Sequence, residues 1–177
     1  MSDHGPDHVG RIIEQWAARR PDLDVSPMGI IGRLHRLAGR LDTELRTVFA
    51  SAGLGDGDFD VLACLRRTEP PHELTPGELV ASTMVTSGAI TKRIDRLERA
   101  GLVTRTVSDA DARSRRIALT DKGFRLVDDL IEKHVANEHR LVAGLSERDR
   151  AELARLLEAW GRALDELDLA ARPSADR

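Results

Sequence analysis

No apolar run in this chain approaches the roughly 20 residues of a membrane span, and its first residues, MSDHGPDH, lack the apolar segment of a secretion signal. A cytoplasmic location is the expectation. A single cysteine, Cys64, excludes an intramolecular disulfide framework and fits a reducing compartment. It lies in the apolar run FDVLACL, where it reads as a small core residue, with a redox-sensing thiol as the alternative. Basic excess is also lacking: the net charge is -3 over 177 residues, so no global field advertises a polyanionic partner. The chain has no nucleophile with a base at motif spacing, no glycine-rich phosphate loop and no recognisable pair of catalytic acids, so it is not expected to be an enzyme. Of the six histidines, His134 and His139 are five apart and stand roughly 140° around a helix from one another. No Cys or carboxylate cluster completes a metal set, so solvated or capping roles are expected and no cofactor is implied.

What is present is a local imbalance. Residues 1 to 85 hold 9 Lys+Arg against 13 Asp+Glu, residues 86 to 120 hold 8 against 4, and residues 121 to 177 hold 10 against 13. The only positive block therefore coincides with the stretch richest in motifs, LTPGELVASTMVTSGAITKRIDRLERAGLVTRTVSDADARSRRIALTDKG, from Leu74 to Gly123. Thr75-Pro76 with Glu78 has the form of a capped helix start. A second helix follows, capped by Thr86, with Ile90, Ile94 and Leu97 at i, i+4, i+7 and with Ser87, Gly88, Thr91 and Lys92 in its first turns. Gly101 closes it, Leu102 to Arg105 reads as a strand, Ser108 to Ser114 as a polar loop, and Ile117-Ala118-Leu119 ends a returning strand. A helix whose first turns carry small polar residues can approach base edges in a major groove. The arginines of the hairpin, Arg113, Arg115 and Arg116, suit a neighbouring minor groove or the phosphate backbone.

Periodicity places the remaining helices. One from about Asp7 to Arg20 carries Val9, Ile12, Ile13 and Trp16, and Ser26-Pro27 caps a long one whose apolar face includes Ile30, Ile31, Leu34, Leu37 and Leu41. Phe59 to Leu65 is apolar nearly all round and hence buried. Thr120 caps a helix running to Gly144, Ser146 opens another with Leu153, Leu156, Leu157, Trp160, Leu164 and Leu167, and the polar tail from Arg172 is expected to be disordered. The last two helices carry more apolar surface than a small lobe can cover, so a two-fold homodimer on a palindromic operator is expected, a monomeric bundle being the alternative.

This order resembles the MarR-type transcriptional regulators, on the LTPGEL helix, the run TSGAITKRIDRLERAGLV, and the wing pattern Asp111-Ala112-Arg113-Ser114 followed by Ile117 to Gly123. The resemblance covers about Pro27 to Leu169. It implies a mainly α (α+β) fold: a winged helix-turn-helix lobe at 54–120, an N-terminal extension helix and first dimerisation helix at 1–53, and C-terminal dimerisation helices at 121–177. It also implies that Asp111 steadies Arg113 in the minor groove. The resulting DNA-contact set is Thr86, Ser87, Gly88, Thr91, Lys92, Asp111, Arg113 and Arg115, with double-stranded operator DNA as partner. A winged-helix scaffold that binds protein and does not read DNA is the alternative.

Arg93 stands roughly 60° from the centre of the apolar stripe set by Ile90, Ile94 and Leu97. A guanidinium at that core edge wants a carboxylate or an anionic ligand. Asp60 is the acid within the FDVLACL run and a candidate partner, and Trp16 is a candidate third wall. These positions, with Arg105, resemble those of the urate-responsive MarR subgroup, which has an added N-terminal helix bearing a Trp. That resemblance implies an effector site at Trp16, Asp60, Arg93 and Arg105 for urate or a carboxylate metabolite, and release of DNA when it fills. A plain packing role for the Trp and the Asp and Arg pair is the alternative.

Overall fold

The computed structural model describes residues 5–55, 57–83, 87–108 and 111–171, with the backbone alone at 87–89, 107–108, 111–114 and 168–171. Among the described residues the elements follow in the order α1 (His8–Arg19), α2 (Met28–Ala50), α3 (Asp58–Arg67), β1 (Glu73–Leu74), α4 (Pro76–Ser82), α5 (Ser87–Arg99), β2 (Val103–Ser108), β3 (Asp111–Leu119), α6 (Asp121–Leu141) and α7 (Glu147–Ala171). They group into two compact units, residues 1–135 and 136–177. The fold is mainly helical with one small sheet, as the sequence implied.

In the first unit the core forms around α3. Phe59, Val61, Leu62, Cys64 and Leu65 are buried against Leu79 of α4, Ile90, Ile94 and Leu97 of α5, Ile117 of β3, and Val127 and Leu130 of α6. Each such aliphatic side chain contributes on the order of 2 kcal/mol by leaving water, so this cluster holds the lobe together. Cys64 sits within it at 1% exposure, its thiol against the Ser82 carbonyl at 3.8 Å, and burial pushes the thiol pKa up. That placement is the packing role. His134, expected to be solvated or capping, instead packs its ring 5.0 Å from Phe59 and 5.5 Å from Phe49.

The sheet has the order β1-β3-β2, all antiparallel. Glu73 lies opposite Ala118 and Leu74 opposite Ile117, while Arg105 lies opposite Ile117 on the other side of β3. The returning strand is longer than the polar loop expected at 108–114 allowed: it begins at Asp111, and the register breaks only between Val107 and Ser108.

Local signals explain most helix starts. Thr75 accepts the Glu78 amide at 3.2 Å while the Glu78 carboxylate accepts the Thr75 amide at 2.7 Å, a reciprocal capping box with Pro76 at the first helical position. Ser146 accepts the Asp149 amide at 3.1 Å ahead of α7. The start of α2 differs from expectation. Pro27 is its N-cap and, having no polar side-chain atom, makes no side-chain bond, while the Ser26 amide donates to the Asp24 carboxylate at 2.9 Å. The far end of α6 also differs, stopping at Leu141 rather than Gly144. The tail from Arg172 lies outside the described residues.

One short segment ties three elements together. Gly101 takes φ of 69°, which lets the Leu102 amide reach the Leu97 carbonyl at 2.9 Å and the Gly101 amide reach that of Glu98 at 2.9 Å, so α5 ends in a Schellman turn. Thr120 then donates its amide to the Leu102 carbonyl at 3.1 Å and its hydroxyl to the Gly101 carbonyl at 2.8 Å, and accepts the Gly123 amide at 3.0 Å to start α6. Lys122 donates to the Ala100 carbonyl at 2.8 Å. Gly123 is required by this closeness: a Cβ there would stand 2.0 Å from the Leu102 carbonyl oxygen.

Candidate nucleic-acid interface

α5 presents two faces. Ile90, Ile94 and Leu97 are buried at 3% or less, which turns Thr91 and Lys92 outward and exposed. Ser87 and Gly88 occupy its first turn, with only their backbone described, and Thr86 lies outside the described residues. In the wing, Arg115 is exposed opposite Val107. Asp111 and Arg113 lie on the β3 backbone, and the aspartate–arginine support expected between their side chains falls outside the described side chains. Arg116, grouped with the reading arginines on sequence, turns instead toward Glu73 of β1 at 3.6 Å.

The C-terminal half of α5 is braced by ion pairs that sequence inspection did not single out. Asp58, at the start of α3, is 1% exposed and accepts Arg96 Nε at 2.9 Å, Arg96 Nη2 at 2.5 Å and the Gly55 amide at 2.6 Å. A carboxylate this deeply buried needs such donors, and they anchor α5 to α3. From the other side, Arg105 of β2 donates to both Asp95 and Glu98, and these carboxylates hold its guanidinium above the usual arginine pKa. Arg66 of α3 donates to Asp128 of α6 at 2.7 Å and lies 4.4 Å over the Phe124 ring.

The four residues of the expected effector site are placed differently from one another. Asp60 and Arg93 lie, half-buried, on α3 and α5, which pack together. Arg93 Nε is buried without a hydrogen-bond partner among the described residues. Arg105 meets α5 through Asp95 and Glu98, which stand roughly 170° around the helix from Arg93. Trp16 is 43% exposed on α1, which packs on α2. The buried acid that bridges to the reading helix is thus Asp58 with Arg96. Asp58 escaped notice because the helix was expected to begin at Phe59, which left it in a loop.

A three-stranded antiparallel wing, a capped first helix and a second helix with an exposed polar start together define a winged helix-turn-helix nucleic-acid-binding lobe. The comparisons agree. The MarR family model matches residues 52–114. The HTH-type transcriptional regulator PecS of Dickeya dadantii is 41% identical over 149 residues, 84% of this chain and 90% of PecS. An HTH-type transcriptional repressor of Mycobacterium tuberculosis is 30% identical over 78% of this chain and 96% of its own length. Among solved structures, CouR of Rhodococcus jostii bound to p-coumaroyl-CoA superposes with a TM-score of 0.64 at 25% identity, over 73% of this chain and 90% of CouR. The chain belongs to the MarR family, and it is a DNA-binding transcriptional regulator. No helix among the described residues is long and apolar enough to cross a membrane.

Proposed function

We propose that this protein is a homodimeric repressor that binds a palindromic operator and leaves it when a small anionic effector, such as urate or a carboxylate metabolite, is bound. The reading surface is the start of α5, through Thr86, Ser87, Gly88, Thr91 and Lys92, together with Asp111, Arg113 and Arg115 of the wing. Small polar residues at the helix start admit the backbone to base edges, and the arginines follow the phosphates and the minor groove. Repression is the sign carried by the Mycobacterium tuberculosis relative's name.

The dimer rests on uncovered apolar surface. Ile30, Leu34, Leu37 and Leu41 of α2 are each at least 39% exposed, and so are Leu153, Leu156, Leu157, Leu164 and Leu167 of α7. Stripes of this kind on long helices call for a second copy. Sedimentation at low micromolar concentration returning a 19.5 kDa species would refute it.

The observation that carries the effector is Arg93 Nε, a buried cationic donor with no hydrogen-bond partner among the described residues, on the helix proposed to read DNA. An anion taken up there repays the cost of leaving that group unsatisfied, and it shifts the balance between DNA-competent and incompetent positions of α5. Asp60, Trp16 and Arg105 complete the proposed set, Arg105 acting through Asp95 and Glu98. The test is fluorescence anisotropy on the promoter DNA next to its gene. Urate or citrate should raise the operator Kd, and Arg93→Ala, once shown to fold and bind DNA, should lose the response. Unchanged binding at millimolar levels of both ends the effector reading. Binding that is absent, or does not weaken with salt, favours a protein-binding scaffold.

A further inference from the structure

A concavity lies away from the reading helix, between α1 and the first turns of α2. α1 is held there firmly. Val9 is 4% exposed and packs on Gly32, and Asp7 caps α1 through the Gly10 amide at 2.7 Å. The same carboxylate accepts Arg33 Nε at 3.0 Å and Nη2 at 2.9 Å. Beside that lock runs a groove of about 550 Å³, within the range of small-molecule sites. Its floor is apolar, with Ile12, Met28 and Ile31, and among the described residues its polar lining consists of His8, His35 and Arg36, with no acid. The nearby Asp7 is already engaged by Arg33, so the groove is an apolar trough whose rim carries the Arg36 guanidinium.

Two features decide the occupant. The α2 stripe assigned to the second copy centres on Ile30, Leu34, Leu37 and Leu41, roughly 140° around the helix from the centre of the groove residues Met28, Ile31, Gly32 and His35; Ile31 borders both, and covering the stripe leaves the Met28, Gly32 and His35 side of the groove open. The rim also matches an anionic head in charge, and the floor matches an unbranched apolar body. We propose that the groove between α1 and α2 binds an amphipathic carboxylate of the fatty-acid kind, with its chain along Ile12, Met28 and Ile31 and its head at Arg36, flanked by His8 and His35. This site is separate from Arg93 and does not depend on the effector proposed there.

The test is titration calorimetry on the full-length protein with decanoate below its micelle concentration, with decanol and decyltrimethylammonium as controls. Decanoate should bind and the two controls should not match it. Arg36→Gln should raise its Kd by about tenfold or more. Ile31→Glu, which sets a like charge in the trough, should abolish binding, and Arg93→Ala should leave it within about twofold. Ile31 and Arg36 are exposed, so both variants should keep the unliganded melting temperature. Equal binding of decanoate and decanol overturns the proposal, as does loss with Arg93→Ala alone or no binding at about 1 mM. Protection of Ile31→Cys from maleimide without decanoate would show the groove covered by the second copy, and that too overturns it.

Discussion

Removing the Arg96 guanidinium should destabilise the lobe by about 2 kcal/mol. Breaking a fully buried ion pair from one side costs roughly 3 to 5 kcal/mol, because a charge is left in low dielectric without its partner. Here only Asp58 is fully buried, at 1% side-chain exposure, whereas Arg96 is 48% exposed. Water therefore replaces part of what Arg96→Ala removes, and the Gly55 amide at 2.6 Å remains on the carboxylate. About half of the full penalty is the reasoned value. Asp58→Asn keeps the acceptor for Gly55 and should cost less, about 1 kcal/mol. The assay is urea denaturation at one fixed protein concentration for both single variants and the double variant, with a coupling of about 1.5 kcal/mol expected. Operator affinity should fall about tenfold while the slope of affinity against salt stays unchanged, since no phosphate contact is lost. An Arg96→Ala variant within about 0.5 kcal/mol of the parent, or a coupling near zero, would refute the claim that this pair holds the reading helix.

Gly123→Ala should cost about 3 kcal/mol, because the new methyl meets the Leu102 backbone, whereas Gly144→Ala, with open space around it, should change the melting temperature little; thermal denaturation compares the two. Thr75→Ala should cost about 1 kcal/mol in the same assay through loss of the capping box. Lys92→Ala should lower the magnitude of the salt slope by about 2 for a dimer, one phosphate contact per subunit, and an unchanged slope removes Lys92 from the phosphate-binding set. The Asp7 carboxyl is held below its ordinary pKa by the Arg33 hydrogen bond first and the Gly10 amide second. The unfolded chain thus takes up this proton at higher pH than the native one, so the stabilisation is complete above the ordinary aspartate range and is lost as pH falls through the lowered native value. Trp16 fluorescence in a Trp160→Phe background should report the loosening of α1 in that window, and Asp7→Asn should flatten it.

Much of the lobe was legible because its signals are local. The Thr75 to Glu78 box, the left-handed Gly101 and the Ile90, Ile94, Leu97 spacing each act within about two turns of chain. β1 was not legible, since two residues carry no period and exist as a strand only through β3. Nor was the buried acid: Asp58 and Asp60 flank the same phenylalanine, and which of them is buried depends on how α3 is rotated against α5, which no local rule sets. Arg93 and Arg96 differ in the same way, a turn apart on one helix. Arg105 enters the sequence reading only through the subgroup resemblance, and its partners, Asp95 and Glu98, become visible only when β2 folds back along α5.

The junction at residues 100–102 gives α5 the mechanics of a lever. Its Schellman end, the Thr120 and Lys122 bonds and the Arg96 and Arg105 ion pairs all fall on residues 95–105, beside the fulcrum. Thirteen residues of helix reach about 20 Å from that point to Ser87. A tilt of roughly 5° at the junction would therefore carry the far tip almost 2 Å, more than the tolerance of a hydrogen bond to a base edge. Restraints spaced this way let a sub-ångström adjustment near the core become loss of register at the groove.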